Sequence, residues 1–301
     1  MTIRCLFLPL DGSDLAESAL PAGVYFARLF GASITLFHVI EKKATGRIHA
    51  SRHLIQAGEA EAYLRDVSAR FIPAEIPVER HVHSSAARDV ARSIVEHSGE
   101  FQPDLIILCA HGYGGPRDWL MGNIAQQVIS IGSTPVILLH PSQAPQPDST
   151  FSCRSILLPL DGIPEHEQSA VLAEEIARKS DAAVHLVTVV PTPETLSGEK
   201  AATGRLLPVS TAALLDLAED GTRNYLNQIR EHMQSEGLNA SAQVLRGDPA
   251  TELANLTRIR QDDLIVLGTH GKAGSAAFWS QSVAARVLGK INIPALLIPV
   301  R

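Results

Sequence analysis

The chain has 301 residues, 45% hydrophobic and 19% charged, a length that suggests two domains. Lys and Arg total 26 against 32 Asp and Glu, a net charge of −6, which argues against a nucleic-acid binder because holding phosphates needs clustered cations. The longest apolar runs, such as Leu105–Ala110 and Ala295–Val300, hold six residues, far short of the roughly 20 that cross a bilayer. Met1–Leu10 has one Arg and an apolar run that soon meets Asp11, which is no secretory signal. Cys5, Cys109 and Cys153 are odd in number and widely spaced, so no disulfide framework is expected. The expectation is a reduced, cytoplasmic, soluble protein.

Strands are expected near 4–10, 33–40, 76–82, 104–110 and 135–140, several of them continuous apolar runs typical of parallel strands covered on both faces. Helical patterns lie between them at Leu15–Phe30, Ala57–Phe71, Ala87–His97 and Ile124–Ile131. The third carries a clear stripe of Val90, Ala91, Ile94 and Val95. Asp14 and Glu17 have capping-box spacing for the first helix, and Pro21 inside it should kink it or delay its start.

The pattern then returns. Leu6-Phe-Leu-Pro-Leu-Asp-Gly12 is answered 150 residues later by Ile156-Leu-Leu-Pro-Leu-Asp-Gly162, and Ile34–Ile40 by Val184–Val190 at the same offset. Asp104–Leu108 returns as Asp263–Leu267, His111-Gly112 as His270-Gly271, and Thr134–Leu139 as Ile293–Ile298, all at 159. Such a period is a duplicated domain rather than a solenoid. The boundaries are residues 1–142 and 153–301, joined by a linker at 143–152 within the Pro-rich stretch that opens at Pro141. The second copy carries a longer connection, Pro191–Val209, before a helix at Thr211–Gln234. The fold class is therefore α/β: two similar doubly wound domains, each a five-stranded parallel sheet with helices on both faces, Rossmann-like.

In such sheets ligands bind beyond the carboxyl ends of the strands, where strand order reverses. The segments most alike in the two copies are the exits of strand one (Leu-Pro-Leu-Asp-Gly) and strand four (His-Gly). After strand four of copy one, glycines 112, 114, 115 and 122 lead into a helix with Asn123 as its N-cap. Free N–H groups and the helix dipole there favour a phosphate, although Gly and Pro also simply make tight turns. Asp11 reads either as an ordinary Asp-Gly turn residue or as an acceptor for a polar ligand.

Strand–(Pro-Leu-Asp-Gly)–helix, the strand ending His38-Val39-Ile40, and Asp104-Leu-Ile-Ile-Leu-Cys-Ala-His-Gly112 followed by Gly122 resemble the universal stress protein family. Both halves match, so the chain resembles a tandem member. The family's nucleotide motif is Gly, two residues, Gly, nine residues, then Gly-Ser or Gly-Thr. Copy one holds Cys109, Gly112, Gly122 and Asn123 at these places, and copy two Gly268, Gly271, Gln281 and Ser282, so each copy departs from the motif.

In ATP-binding members the aspartate after strand one and the end of strand two hold adenine, and the glycine turn holds ribose and phosphates. The resemblance thus implies Pro9, Leu10, Asp11, Val39, Leu108, Cys109, Gly112, Gly122, Asn123 and Ile124 in copy one. In copy two it implies Pro159, Leu160, Asp161, Val189, Leu267, Gly268, Gly271, Gln281, Ser282 and Val283. Copy one is favoured, because Gln281 puts a long side chain where phosphate should meet backbone. The implied cofactor is ATP or ADP, with or without Mg²⁺.

No Walker A segment and no Ser/His/Asp constellation is assignable, so an enzyme is not expected beyond slow ATP hydrolysis. A scaffold with relic motifs is the alternative. His49/His53 and His81/His83 have metal-like spacings without nearby Cys, and no metal site is assigned. His38 and His185 read as core histidines; His111, His270 and Lys272 lie near the glycine turns. Cys109, at an apolar strand end, is expected to be a quiet thiol. The last strand of each copy should seek a partner, giving an intramolecular pseudo-dimer and a further homodimer as an option. Connections 41–53 and 191–209 are candidate lids.

Overall fold

The computed structural model describes residues 3–41, 47–48, 51–52, 54–87, 89–109, 123–140, 150–163, 167–196, 198–270 and 282–300. Copy one runs β1 (Cys5–Pro9), α1 (Asp14–Glu17), α2 (Leu20–Phe30), β2 (Ser33–Glu41), a hairpin of β3 (Arg47–Ile48) and β4 (Ser51–Arg52), α3 (Ala57–Phe71), β5 (Val78–Ala87), α4 (Val90–Phe101), β6 (Leu105–Cys109), α5 (Asn123–Ile131) and β7 (Val136–Leu139). Copy two runs β8 (Ser155–Pro159), α6 (Gln168–Ser180), β9 (Ala183–Val190), α7 (Gly198–Leu206), α8 (Pro208–Ser235), β10 (Ala240–Arg246), α9 (Pro249–Arg260), β11 (Leu264–His270), α10 (Val283–Leu288) and β12 (Ala295–Val300).

The two expected sheets are one. Ten strands lie in the order β10-β9-β8-β11-β12-β7-β6-β1-β2-β5. Within each copy all pairs of this sheet are parallel, and strand order reverses between β1 and β6 and between β8 and β11. The copies join where β7 and β12 pair antiparallel, Ile137 opposite Leu296. The two apolar edges thereby cover each other, and β5 and β10 become the ends of the sheet.

One core lies on the face of α2, α3, α6 and α8, the other on the face of α4, α5, α9 and α10. Each contains side chains from both copies, so burial is continuous across the seam. On the first face α2 meets the start of copy two: the Tyr25 hydroxyl donates to the Cys153 carbonyl at 3.4 Å, and Phe26 and Phe151 pack with ring centroids 5.6 Å apart. Helix α2 also lies so close to β1 that a Cβ at Gly23 would stand 2.6 Å from Leu8.

The helix expected over Leu15–Phe30 is two helices, with Pro21 in the first turn of α2, where its missing N–H costs nothing. Ser13, not Asp14, caps α1: its Oγ accepts from Ala16 N at 3.2 Å, held in place by Asp11. Helix α4 starts at Val90 rather than residue 87 because Asp89 caps it, accepting from Arg92 N. The helix expected at Thr211–Gln234 extends back to Pro208.

A carboxylate clip recurs in both copies. Asp104 Oδ2 accepts from Arg4 N (2.7 Å) and Cys5 N (3.1 Å), and Asp263 Oδ2 from Arg154 N and Ser155 N at the same distances. Each pins the start of strand one to strand four, across the strand-order reversal. Asp104→Ala should cost about 1–3 kcal/mol by leaving charge-assisted bonds unmade. Urea denaturation checks this; a loss below measurement error would mean the clip is incidental.

Candidate functional site

The crevices lie at the carboxyl ends of β1/β6 and β8/β11. Their floors are built alike. Leu10 N donates to Phe37 O and Leu160 N to Val187 O, both at 2.8 Å. The Leu10 carbonyl is met by His38 Nδ1 (2.8 Å), and the Leu160 carbonyl accepts from Thr188 Oγ1 (2.6 Å). His38 is thus a core histidine, 1% exposed, fastening strand two to the exit of strand one.

Asp11 and Asp161 each close a turn with one oxygen. Asp11 Oδ1 accepts from Ser13 N and Oγ, and Asp161 Oδ1 from Ile163 N. The following glycines, Gly12 and Gly162, hold φ of 90° and 75°, a region that other residues adopt only with strain. The turn reading is therefore correct for both aspartates. It does not exhaust Asp161, which is exposed and lines a cavity of about 330 Å³. Gly162 and Thr188 wall one side, and Ala218, Gly221, Thr222 and Tyr225 of α8 the other. Small residues at 218 and 221 leave the space open. This volume falls at the lower end of the range for small-molecule pockets.

Sequence reasoning missed a second repeated pair. Glu17 and Glu167 stand 150 residues apart, and Tyr63 of α3 and Tyr225 of α8 stand 162 apart. The Tyr225 hydroxyl donates to Glu167 Oε1 at 2.9 Å. In copy one Glu17 is buried and pairs at 3.4 Å with Arg70; burial raises its carboxyl above the usual range, with Arg70 opposing. Burial first, then Glu17 and Asp11, raises the Tyr63 phenol, while burial, Glu167 and Asp161 do the same for Tyr225. The longer connection in copy two shifts the tyrosine offset from 150 to 162, which hides the match from a fixed-offset comparison.

The remaining expected residues divide. Leu10, Leu160 and Cys109 point into the core under α2 and α6, whereas Val39, Leu108 and Leu267 point into the opposite core. Pro9, Pro159, Val189 and Gly268 are half-buried. The buried side chains of this set pack the crevice walls from within, and the half-buried residues reach the surface in part. Cys109 Sγ lies 2.9 Å from Ser18 Oγ, and all three cysteines are free thiols. Burial pushes the Cys153 thiol up to about 12.

Asn123 is the first residue of α5, followed by the exposed Ile124. Ser282 caps α10, accepting from Ala285 N at 3.1 Å, followed by the exposed Val283. Gly112, Gly122, Gly271 and Gln281 lie outside the described residues, as do His49, His53, His111 and Lys272. Of the two candidate lids, 41–53 includes the β3–β4 hairpin and 191–209 includes α7. The cavity wall comes from α8 instead.

Two imidazoles, the half-buried His140 and the buried His185, bear on acid stability. Burial holds His140 down to about 4. Burial, then Arg260, lowers His185, whose Nδ1 meets Ser241 Oγ at 2.7 Å. The unfolded chain takes up these protons first, near pH 6.5. The stability from the neutral His140 is therefore complete above about pH 6.5 and is lost as pH falls toward 4, about 3 kcal/mol in all. His140→Gln should lose correspondingly less stability between pH 7 and 4 in chemical denaturation. An unchanged pH dependence would contradict this.

Among the described residues no helix is long and apolar enough to cross a membrane. Residues 4–140 and 153–299 each match the model of the universal stress protein family. A universal stress protein of Mycolicibacterium smegmatis is 24% identical over 307 residues, covering 97% of this chain and 96% of that protein. One from Methanocaldococcus jannaschii is 27% identical over 147 residues, 48% of this chain and 81% of its own length. The crystal structure of a universal stress protein from Archaeoglobus fulgidus shares the fold, with a TM-score of 0.70 at 18% identity over 99% of this chain and 96% of that one. With two matched copies in one polypeptide and the reversal crevice repeated in each, the chain belongs to the universal stress protein family as a tandem member.

Proposed function

We propose that this chain binds an adenine nucleotide, ATP or ADP, and acts in stress response or signalling through that bound state rather than by turnover. The observation that carries the reading is the cavity of about 330 Å³ beside Asp161. Its position, after strand one and against strand two, is where the family resemblance puts adenine. The residues present fit the base and sugar end of a nucleotide: an exposed carboxylate to accept from an amine or hydroxyl, Thr222 to donate or accept, and the Tyr225 ring as an apolar wall. The anionic tail would extend toward the start of α10.

Among the described residues the open volume lies in copy two, and this reading places the nucleotide there. The expected preference for copy one rested on its glycine turn, which lies outside the described residues, and on Gln281, which does too. In this reading the cytoplasm is the site of action. Self-association would use β5 or β10, because β7 and β12 are already paired.

Equilibrium titration of the full chain with ATP and ADP, with and without Mg²⁺, tests the reading. Saturable binding at submillimolar nucleotide is expected. No binding at millimolar ATP would leave the scaffold reading, which the departures at Cys109 and Gln281 favour.

A further inference from the structure

Copy one holds a histidine cluster away from its crevice. His81 and His83 share one face of β5, and α4 brings His97 against them, with ring centroids 5.2 and 4.7 Å away. His83 Nδ1 and His97 Nε2 stand 3.2 Å apart. His97 Nδ1 donates to the Ser93 carbonyl at 2.8 Å, which fixes the tautomer and leaves Nε2 with its lone pair toward His83. His97 is 8% exposed, and Glu100 Oε2 lies 3.9 Å from its Nε2.

The duplicated fold provides a control for what packing alone requires. By strand register Val78 corresponds to Ala240, so His81 and His83 correspond to Gln243 and Leu245. By the matching helix ends at Gln102 and Gln261, His97 corresponds to Leu256. Copy two fills the same layer with Leu245 and Leu256. The fold therefore does not need imidazoles here, and the helix–sheet contact is satisfied by leucines.

We propose that His83 and His97 form a two-imidazole site for a divalent transition-metal ion of the zinc, nickel or copper kind, its remaining positions filled by water. Imidazole nitrogens suit these borderline ions. Two nitrogens bound at about 2.0–2.1 Å to a tetrahedral ion sit about 3.3 Å apart, close to the observed spacing. The Ser93 carbonyl supplies the outer hydrogen bond that orients a ligating imidazole. Among the described residues no group of three His, Cys, Asp or Glu side chains is placed to hold an ion, so the proposal takes the two imidazoles alone as protein ligands. Glu100 adds negative potential at its edge rather than a bond.

The test is calorimetric titration of the metal-free full chain with Zn²⁺ and with Ni²⁺, followed by thermal melts. One ion per chain is expected, with a melting temperature that rises and saturates with metal. The double variant His83→Leu/His97→Leu should bind at least tenfold more weakly at a nearly unchanged metal-free melting temperature, and His81→Gln should bind as the parent does. Should the double variant fail to fold, His83→Gln, at a half-buried position, should show the same tenfold loss. Absence of saturable binding, or undiminished affinity in the His83 variants, overturns the proposal; a plain imidazole–imidazole hydrogen bond would then account for the contact.

Discussion

Asp161→Ala should weaken ATP binding by about 10- to 100-fold, the loss expected when a charged acceptor of a ligand hydrogen bond is removed. The corresponding Asp11→Ala should leave the affinity within about threefold, a difference of well under 1 kcal/mol. The asymmetry follows from the two turns. Asp11 Oδ1 is engaged by both the amide and the hydroxyl of Ser13, and Ser13 in turn caps α1, so its carboxylate serves the chain's own start of helix. Asp161 has Ile163 at the equivalent place, which offers an amide and no hydroxyl, and its side chain lines open volume. Asp11→Ala should instead lower stability by about 1 kcal/mol through the lost cap support. Titration of both variants and urea denaturation separate the two effects. Equal losses of affinity in both variants would mean that the copies share the work, and no loss in either would remove Asp161 from the site.

The second large effect lies at the seam. Ile137 is fully buried, opposite Leu296 of β12 on one side and Ile107 of β6 on the other. A carboxylate introduced there has no cation among its strand neighbours, and an unpaired buried charge costs several kcal/mol. Ile137→Asp should destabilise the chain by about 5 kcal/mol or more, a large share of the stability of an ordinary domain. Ile131→Asp, half-exposed at the end of α5, should cost less than about 1 kcal/mol. Because the cores run through both copies, the parent should unfold in one transition, whereas the seam variant should show two or lose the native state. A seam variant that keeps the parent's single midpoint would mean that β7 and β12 do not carry the joint.

The duplicated α/β architecture was legible because strand runs and their exits recur at fixed offsets, whereas the place of the order reversal is given by the pairing of β1 with β6 and of β8 with β11. Helix ends were less legible. The Leu15–Phe30 periodicity runs straight through the break at Ser18 and Ala19, and nothing in apolar spacing distinguishes Ser13 from Asp14 as the cap until Asp11 is seen to hold Ser13. The site was half legible. Asp161 was found from the repeated Asp-Gly, but its open surroundings depend on Ala218 and Gly221 of a helix whose length and register are set by contacts with β9 and β10. Tyr63 and Tyr225 were missed because an insertion moves one relative to the other. His97 was missed beside His83 because a strand and the helix after it have no fixed sequence spacing, and only packing brings the two imidazoles together.

The central claim is that the crevice of copy two seats the base and sugar of an adenine nucleotide. A crystal structure grown with ATP and Mg²⁺ tests it most directly. Ligand density between Thr188 and Tyr225, within hydrogen-bonding reach of Asp161, is the predicted result. Density confined to copy one, or both crevices without nucleotide at saturating ATP, would contradict it.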